Sequence, residues 1–383
     1  MESFYSKYLA VVRMTLRVRW ITLRNQVLSS KKFQDWSARN WLTRRIAGRK
    51  AQRLFDLVAG FTYSQTLFAL MQSGLLDRFS VGFCSLAEAA NVANMSQDAA
   101  ERLLKSGSAL QLTEEVVPGI WGLGELGAAL DPQEGVKAMI MHHNLLYTDL
   151  VDPLSLLRNN REKPTRLSKF WGYAGRDDAA EAESEEVSPY SNLMGISQKM
   201  VSHEVLQTFD FTNVASLLDV GGGHGAFVAS IAEAHPDVRL GVFDLPAVVE
   251  GAYLQFSKVK NPASIALHPG DFFEEPLPVG YDCISLVRIL HDHDDSEAQK
   301  LLESVHNALP AGGVLLIAEP MSDTKNAQAM GETYFGLYLW AMRSGRPRTV
   351  KEISQMIENA GFTKVKKLRV RQPLITSVVV ATA

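Results

Sequence analysis

Residues 217–225 read LLDVGGGHG, an apolar run that enters three consecutive glycines and His224 before a helical stretch from Ala226 to Ala234. Glycines let the main chain turn sharply and approach a ligand with no Cβ between them, and the following helix offers unpaired N–H groups at its positive end. Gly221 and Gly223 are therefore the expected contacts of a nucleotide cofactor, with Asp219 at the strand end below them. The spacing also fits the dinucleotide fingerprint, so by itself this loop suits a nicotinamide enzyme as well as a methyltransferase.

A second apolar run, 240–243, ends on Asp244, where a carboxylate can accept from both ribose hydroxyls. Asp271 and Phe272 then pair an acceptor with an aromatic face, as an adenine ring requires. A fourth run, 281–287, delivers Arg288, His291, Asp292 and His293 to its carboxyl end, the edge at which open α/β sheets bind ligands.

In this order the motifs LLDVGGGHG, VFDLP, GDFFEEP, LVRILHDHDD, GGVLLIAEPM and GFTKV with SVVVATA resemble the class I S-adenosylmethionine-dependent methyltransferases. The likeness is closer to small-molecule O-methyltransferases with an N-terminal winged-helix dimerisation domain. The segments RLFDLVAGFTYSQ, LSKFWGYAG and SGRPRT extend it along nearly the whole chain, toward the bacterial 1-hydroxycarotenoid O-methyltransferases of the hydroxyneurosporene and demethylspheroidene type. A sister group that methylates a carbon of a bacteriochlorophyll-type macrocycle is the alternative, and a non-catalytic cofactor-binding regulator is a third reading.

The resemblance implies S-adenosylmethionine as cofactor, no metal, His291 as the general base and Glu319 as the carboxylate that orients it. An ordinary imidazole, near pKa 6.5, suits that task. Leu245 and Arg288 join the expected cofactor residues. The expected substrate pocket takes Met139, His142, His143, Phe170, Trp171, Met194, His293 and Tyr338, with Met141 beside them. Two departures stand out: His293 replaces a family tryptophan, and the turn that carries a second acidic partner in relatives reads Gly345-Arg346-Pro347-Arg348-Thr349, without a carboxylate.

The rest of the chain frames these residues. With 383 residues, 46% of them hydrophobic, it is long enough for two domains plus appendages. Two cysteines, Cys84 and Cys283, lack metal spacing and predict a reducing, cytoplasmic setting; no uninterrupted apolar run predicts a membrane span, and no secretory leader is expected. The net charge of −3 hides a basic arm, because residues 1–50 set twelve lysines and arginines against Glu2 and Asp35. In it Arg13, Arg17, Arg19, Arg24, Lys31 and Lys32 alternate with Trp20, Phe33, Trp36 and Trp41, which suits either an anionic lipid surface or a dimer partner.

Residues 51–135 predict a winged helix, with Ser96 capping a helix through Leu104 and Trp121 in the wing. Asp98 and Glu101 offset Arg102 and Lys105 on that helix, which argues against nucleic acid as a partner. A helical region, 136–210, carries an acidic loop at 177–186, and 211–383 form the expected α/β methyltransferase domain, a doubly wound, mostly parallel sheet with a C-terminal antiparallel hairpin. The expected enzyme is a homodimer acting on a small lipophilic alcohol, peripheral to a membrane.

Overall fold

The computed structural model describes residues 2–171, 184–256 and 265–383, and the side chains of all of these except 2–14, 184–194 and 254–255. The chain forms two compact units, Met1–Leu126 and Gly127–Ala383.

The first unit is largely helical, with long helices over Glu2–Ser29 and Arg44–Gln72 and a short one, Lys31–Arg39, between them. Arg44–Gln72 is long and apolar enough, by length and composition, to cross a membrane, although no single run in it is uninterrupted. Shorter helices follow at Leu86–Val92 and Gln97–Ala109. The hydroxyls of Ser85 and Ser96 start them by accepting from the amides of Glu88 and Ala99, both at 3.2 Å, which satisfies donors that a helix start leaves unpaired. Gln97–Ala109 runs past Leu104, and Lys105 on it pairs with Glu101 at 2.7 Å. Strands β1 (Cys84–Ser85), β2 (Thr113–Val117) and β3 (Ile120–Leu123) form an antiparallel sheet in the order β1-β3-β2. Trp121 on β3 is a core residue of this wing.

The second unit is built on a seven-stranded sheet. Its strands are β4 (Ser216–Val220), β5 (Arg239–Asp244), β6 (Ile265–Pro269), β7 (Cys283–Val287), β8 (Val314–Glu319), β9 (Thr363–Lys367) and β10 (Ser377–Thr382). They lie in the order β6-β5-β4-β7-β8-β10-β9. The first five are parallel, and β10 runs antiparallel to both β8 and β9.

Because strand side chains alternate between faces, one apolar run feeds two cores. Leu218, Val220, Leu315 and Ile317 pack with Leu301, Leu302, Ile353 and Ile357 on one face. Leu217, Leu316 and Ala318 pack with Val205, Phe227 and Ile231 on the other. Each such aliphatic side chain contributes about 1.5–3 kcal/mol on burial, which explains why β4 and β7, buried at every position, read as continuous apolar runs.

Strand order reverses beside β4: the chain goes first toward β5 and β6, then returns to β7 on the opposite side. The loops after β4 and β7 part at that point and leave a crevice at the carboxyl edge.

Candidate active site

The glycine loop leaves β4 in a fixed shape. Gly221 and Gly223 adopt φ of 69° and 59°, values that side-chain-bearing residues rarely take, and Gly225 in the same region starts the helix Ala226–Ala234. The Gly221 amide donates to the Phe243 carbonyl at 2.8 Å, tying the loop to β5. A side-chain carbon at Gly223 would enter open space, so here bare main chain faces the crevice.

Asp244, at the end of β5, takes the amides of Gly223 at 2.7 Å and Leu245 at 2.8 Å. Burial pushes its carboxyl up to about 6 against those two hydrogen bonds, and the charge of Asp271 adds to the rise. Asp219 is 2% exposed under the loop, bonded by the Ser285 hydroxyl at 2.6 Å. Burial pushes it up to about 7, with Ser285 opposing and Asp244 adding. Asp271 accepts from the Phe273 amide at 2.8 Å, and Phe272 packs on the core beside Phe273, ring centroids 4.7 Å apart.

Past β7, Arg288 turns into the left-handed region at φ 61°, donates its amide to the Ala318 carbonyl at 2.9 Å, and reaches Ser197 at 2.8 Å. A 3-10 turn over Leu290–Asp292 then places His291, 5% exposed, at the carboxyl edge. Its Nδ1 lies 3.3 Å from Glu319 Oε2, which also accepts the His291 amide at 3.2 Å. Its Nε2 lies 3.1 Å from Asp292 Oδ1. That approach is off the hydrogen-bond line, and among the described residues neither Asp292 Oδ1 nor Glu319 Oε1 has a hydrogen-bond donor. Burial alone would lower the imidazole's pKa; the charge and contact of Asp292, then those of Glu319, outweigh it and raise His291 to about 9. The expected value near 6.5 is thus overturned by a carboxylate that sequence reading left without a role.

A small cavity opens beside this histidine. His291, Asp292 and Arg288 form its polar side, and Met139, Trp171, Phe335, Tyr338 and Leu339 its apolar wall. Met139 comes from the helix Glu134–Asp149, and Phe335, Tyr338 and Leu339 from the helix Phe335–Met342. His142 and Phe170 stand behind the wall, ring centroids 4.7 Å apart, with His142 Nε2 2.8 Å from the Tyr338 hydroxyl, which also accepts from Trp171 Nε1 at 3.3 Å. His143 pairs in the same way with Tyr334 at 2.8 Å. Burial lowers His142 to about 4, lowers His143, and raises both tyrosines. All four are neutral at physiological pH.

His293 does not line this cavity but sits against Phe272 and Phe273, ring centroids at 5.5 and 5.0 Å. Met194 and residues 177–183 of the acidic segment lie outside the described residues, as do the side chains of 184–186. No metal-ligating group of His, Cys, Asp and Glu forms among the described residues. Sequence reading missed Ser285, Tyr334, Phe335, Leu339 and the part taken by Asp292; only Asp292 carried a signal, as the neighbour of His291 at a strand end.

With this geometry in view, a family model described as an O-methyltransferase domain matches residues 147–363. The chain belongs to the O-methyltransferase family. It is a methyltransferase whose family uses S-adenosylmethionine as methyl donor. Among curated relatives, demethylspheroidene O-methyltransferase of Cereibacter sphaeroides is 37% identical over 93% of this chain and 93% of its own, and the protein of the same name from Rhodobacter capsulatus is 37% identical over 95% and 90%. Human N-acetylserotonin methyltransferase, solved with S-adenosylmethionine, superposes with a TM-score of 0.73 at 24% identity, covering 87% of this chain and 97% of its own. At that identity the likeness carries the fold, including the mixed sheet.

Proposed function

We propose that this enzyme methylates the tertiary hydroxyl of an acyclic 1-hydroxycarotenoid, with His291 as general base. The observation that carries the reading is the junction of His291 with a cavity wall of Met139, Trp171, Phe335, Tyr338 and Leu339, backed by the neutral pairs His142–Tyr338 and His143–Tyr334. Such a wall suits an uncharged hydrocarbon end bearing one hydroxyl. The two demethylspheroidene O-methyltransferases, alike over nearly the full chain, support the substrate class.

The residues fit S-adenosylmethionine. Asp244 would take the ribose hydroxyls, the main chain of the glycine loop, open at Gly223, the contacts that need bare backbone, and Asp271 and Phe272 the adenine, with Leu245 and Arg288 as further cofactor contacts. When bound, the group supplies an electrophilic methyl on sulfur.

The chain's own residues do the remainder. The cavity wall aligns the acceptor oxygen and keeps water out, which is most of what an in-line displacement needs. Neutral His291 would take the hydroxyl proton on Nε2 as the acceptor oxygen becomes nucleophilic toward the methyl that the cofactor would supply, and Glu319 holds Nδ1. A tertiary alcohol is a weak acid, so proton removal accompanies transfer. In the free protein His291 is an imidazolium between two carboxylates, so a proton must leave it before it acts as base.

The enzyme is read as a homodimer that works at a membrane surface through its basic arm, in keeping with a lipid-dissolved substrate. Trp20, Trp36 and Trp41 are exposed on that arm among its arginines and lysines.

The test is incubation of purified protein with methyl-labelled S-adenosylmethionine and, in parallel, a 1-hydroxycarotenoid and a bacteriochlorophyllide in detergent. Label in a carotenoid methyl ether is expected; label only in the macrocycle moves the assignment to carbon methylation.

A further inference from the structure

The turn at 344–348, which has no carboxylate for His291, holds the main chain of His291 instead. Four consecutive carbonyls each receive one donor from it. The Arg348 guanidinium donates to the Leu290 carbonyl at 2.6 Å and the His293 carbonyl at 2.7 Å, the Arg346 amide to His291 at 3.0 Å, and the Ser344 hydroxyl to Asp292 at 2.6 Å.

This grip has a physical reason. After β7 the chain leaves the sheet, and buried carbonyls without ladder partners must find donors elsewhere. Arg348 is 1% exposed, and its planar fork reaches two carbonyls while its charge meets Asp295 Oδ1 at 2.8 and 3.0 Å. A second tie lies beside it: the Gly345 amide and Arg161 both donate to Asp294 Oδ1, at 3.1 and 2.8 Å, and Arg161 also reaches the Gly345 carbonyl at 2.6 Å. Gly345 has φ 75°, and a side-chain carbon there would run into the His291 carbonyl, so the turn fits against the loop only with glycine.

We infer that Arg348 and Ser344 are positioning residues for the methyl transfer, fixing the main chain of 290–293 so that Nε2 of His291 and the carboxylate of Asp292 meet the acceptor oxygen at one angle. This rests on the reading of His291 as base. The turn grips the backbone that carries the imidazole, not the imidazole itself. Misplacement on the order of 1 Å costs about a hundredfold in rate, which is the scale on which such a grip acts.

The test compares Ser344→Ala and Arg348→Lys with the parent enzyme and with His291→Ala. The readings are kcat, KM for both substrates, the pH profile of kcat/KM, S-adenosylmethionine affinity by calorimetry, and Tm. Ser344→Ala removes one hydrogen bond from a half-buried hydroxyl, so it keeps the test open if Arg348→Lys fails to fold.

The expected result is a fall in kcat of about tenfold to a hundredfold in both variants. It comes with unchanged cofactor affinity and a rising limb of the pH profile moved toward acid as Asp292 loses its fixed place against His291. A lower Tm with kcat per folded molecule and pH limb both unmoved would show packing alone and overturn the inference. Retained turnover in His291→Ala would remove the base reading and the inference with it; an inactive His291→Ala beside unaltered Ser344→Ala and Arg348→Lys would remove only the inference.

Discussion

The carboxylate of Asp292 lies 3.1 Å from Nε2 of His291, on the ring nitrogen opposite the one that faces Glu319. Sequence neighbours rarely meet so closely in a strand or helix; here the 3-10 turn over Leu290–Asp292 folds the carboxylate back onto the preceding ring. The consequence is an imidazole that rests protonated.

The rate should therefore follow the loss of that proton. His291 is faced by Asp292 and Glu319, with Arg288 on the same polar side of the cavity and His293 in the next turn. With its pKa raised to about 9, kcat/KM should climb roughly tenfold per pH unit below that value and level above it. Asp292→Asn removes the first charge that favours the imidazolium, so the limb should move toward acid. A profile flat from pH 6 to 9, or a limb unmoved in Asp292→Asn, would contradict this.

Tyr338 accepts from Trp171 and shares a hydrogen bond with His142, both buried. Tyr338→Phe leaves these two groups without their shared partner, at a cost of about 1–3 kcal/mol for each one left unsatisfied. A lower Tm and a higher KM for the acceptor are expected, with cofactor affinity unchanged; an unaltered Tm would show that water replaces the hydroxyl.

How much of this was legible follows from what each signal depends on. Strands β4, β5, β7 and β8 were legible because a parallel strand buried on both faces is apolar throughout, and the helix Ala226–Ala234 because the glycines fix its start. The carboxyl ends of those strands then named Asp219, Asp244, His291 and Glu319. Strand β6 was not legible, since its Ile-Ala-Leu-His-Pro is only half-buried and carries little pattern. Nor was the π-helical segment Ala329–Tyr334, which precedes the pocket helix carrying Phe335 and Leu339. The grip of Arg348 on Leu290 joins positions far apart in sequence, and an arginine in a turn reads as solvated. His293 was expected in the pocket because a family tryptophan stands there, but its partners Phe272 and Phe273 come from the loop after β6.

Asp219 supplies a stability prediction. Its carboxyl is raised in the fold to about 7 from an ordinary value near 4, so the fold favours its protonated form. The stability cost therefore starts as pH rises above about 4 and is complete above about 7. Asp219→Asn, which keeps an acceptor for Ser285, should raise stability at pH 8 by on the order of 2–4 kcal/mol, seen as a higher Tm, and leave it little changed at pH 4. An equal effect at both pH values would contradict the buried-charge account.

The arm reading is testable by flotation with anionic phospholipid vesicles. Replacing Trp20, Trp36 and Trp41 together by serine should weaken binding, and high salt should weaken what remains, since part of the attraction is electrostatic. Equal flotation of parent and variant would contradict it; a variant that instead dissociates in sedimentation assigns these tryptophans to the dimer.

The central claim is that His291 removes the proton of the acceptor hydroxyl. The direct measurement is turnover of His291→Ala with methyl-labelled S-adenosylmethionine and a 1-hydroxycarotenoid, paired with calorimetric binding of S-adenosylmethionine to the same variant. A loss of about 10²–10⁴-fold in kcat with cofactor affinity retained is predicted. Turnover near that of the parent enzyme would contradict it, and would leave the alignment of the two substrates by the cavity as the whole of catalysis.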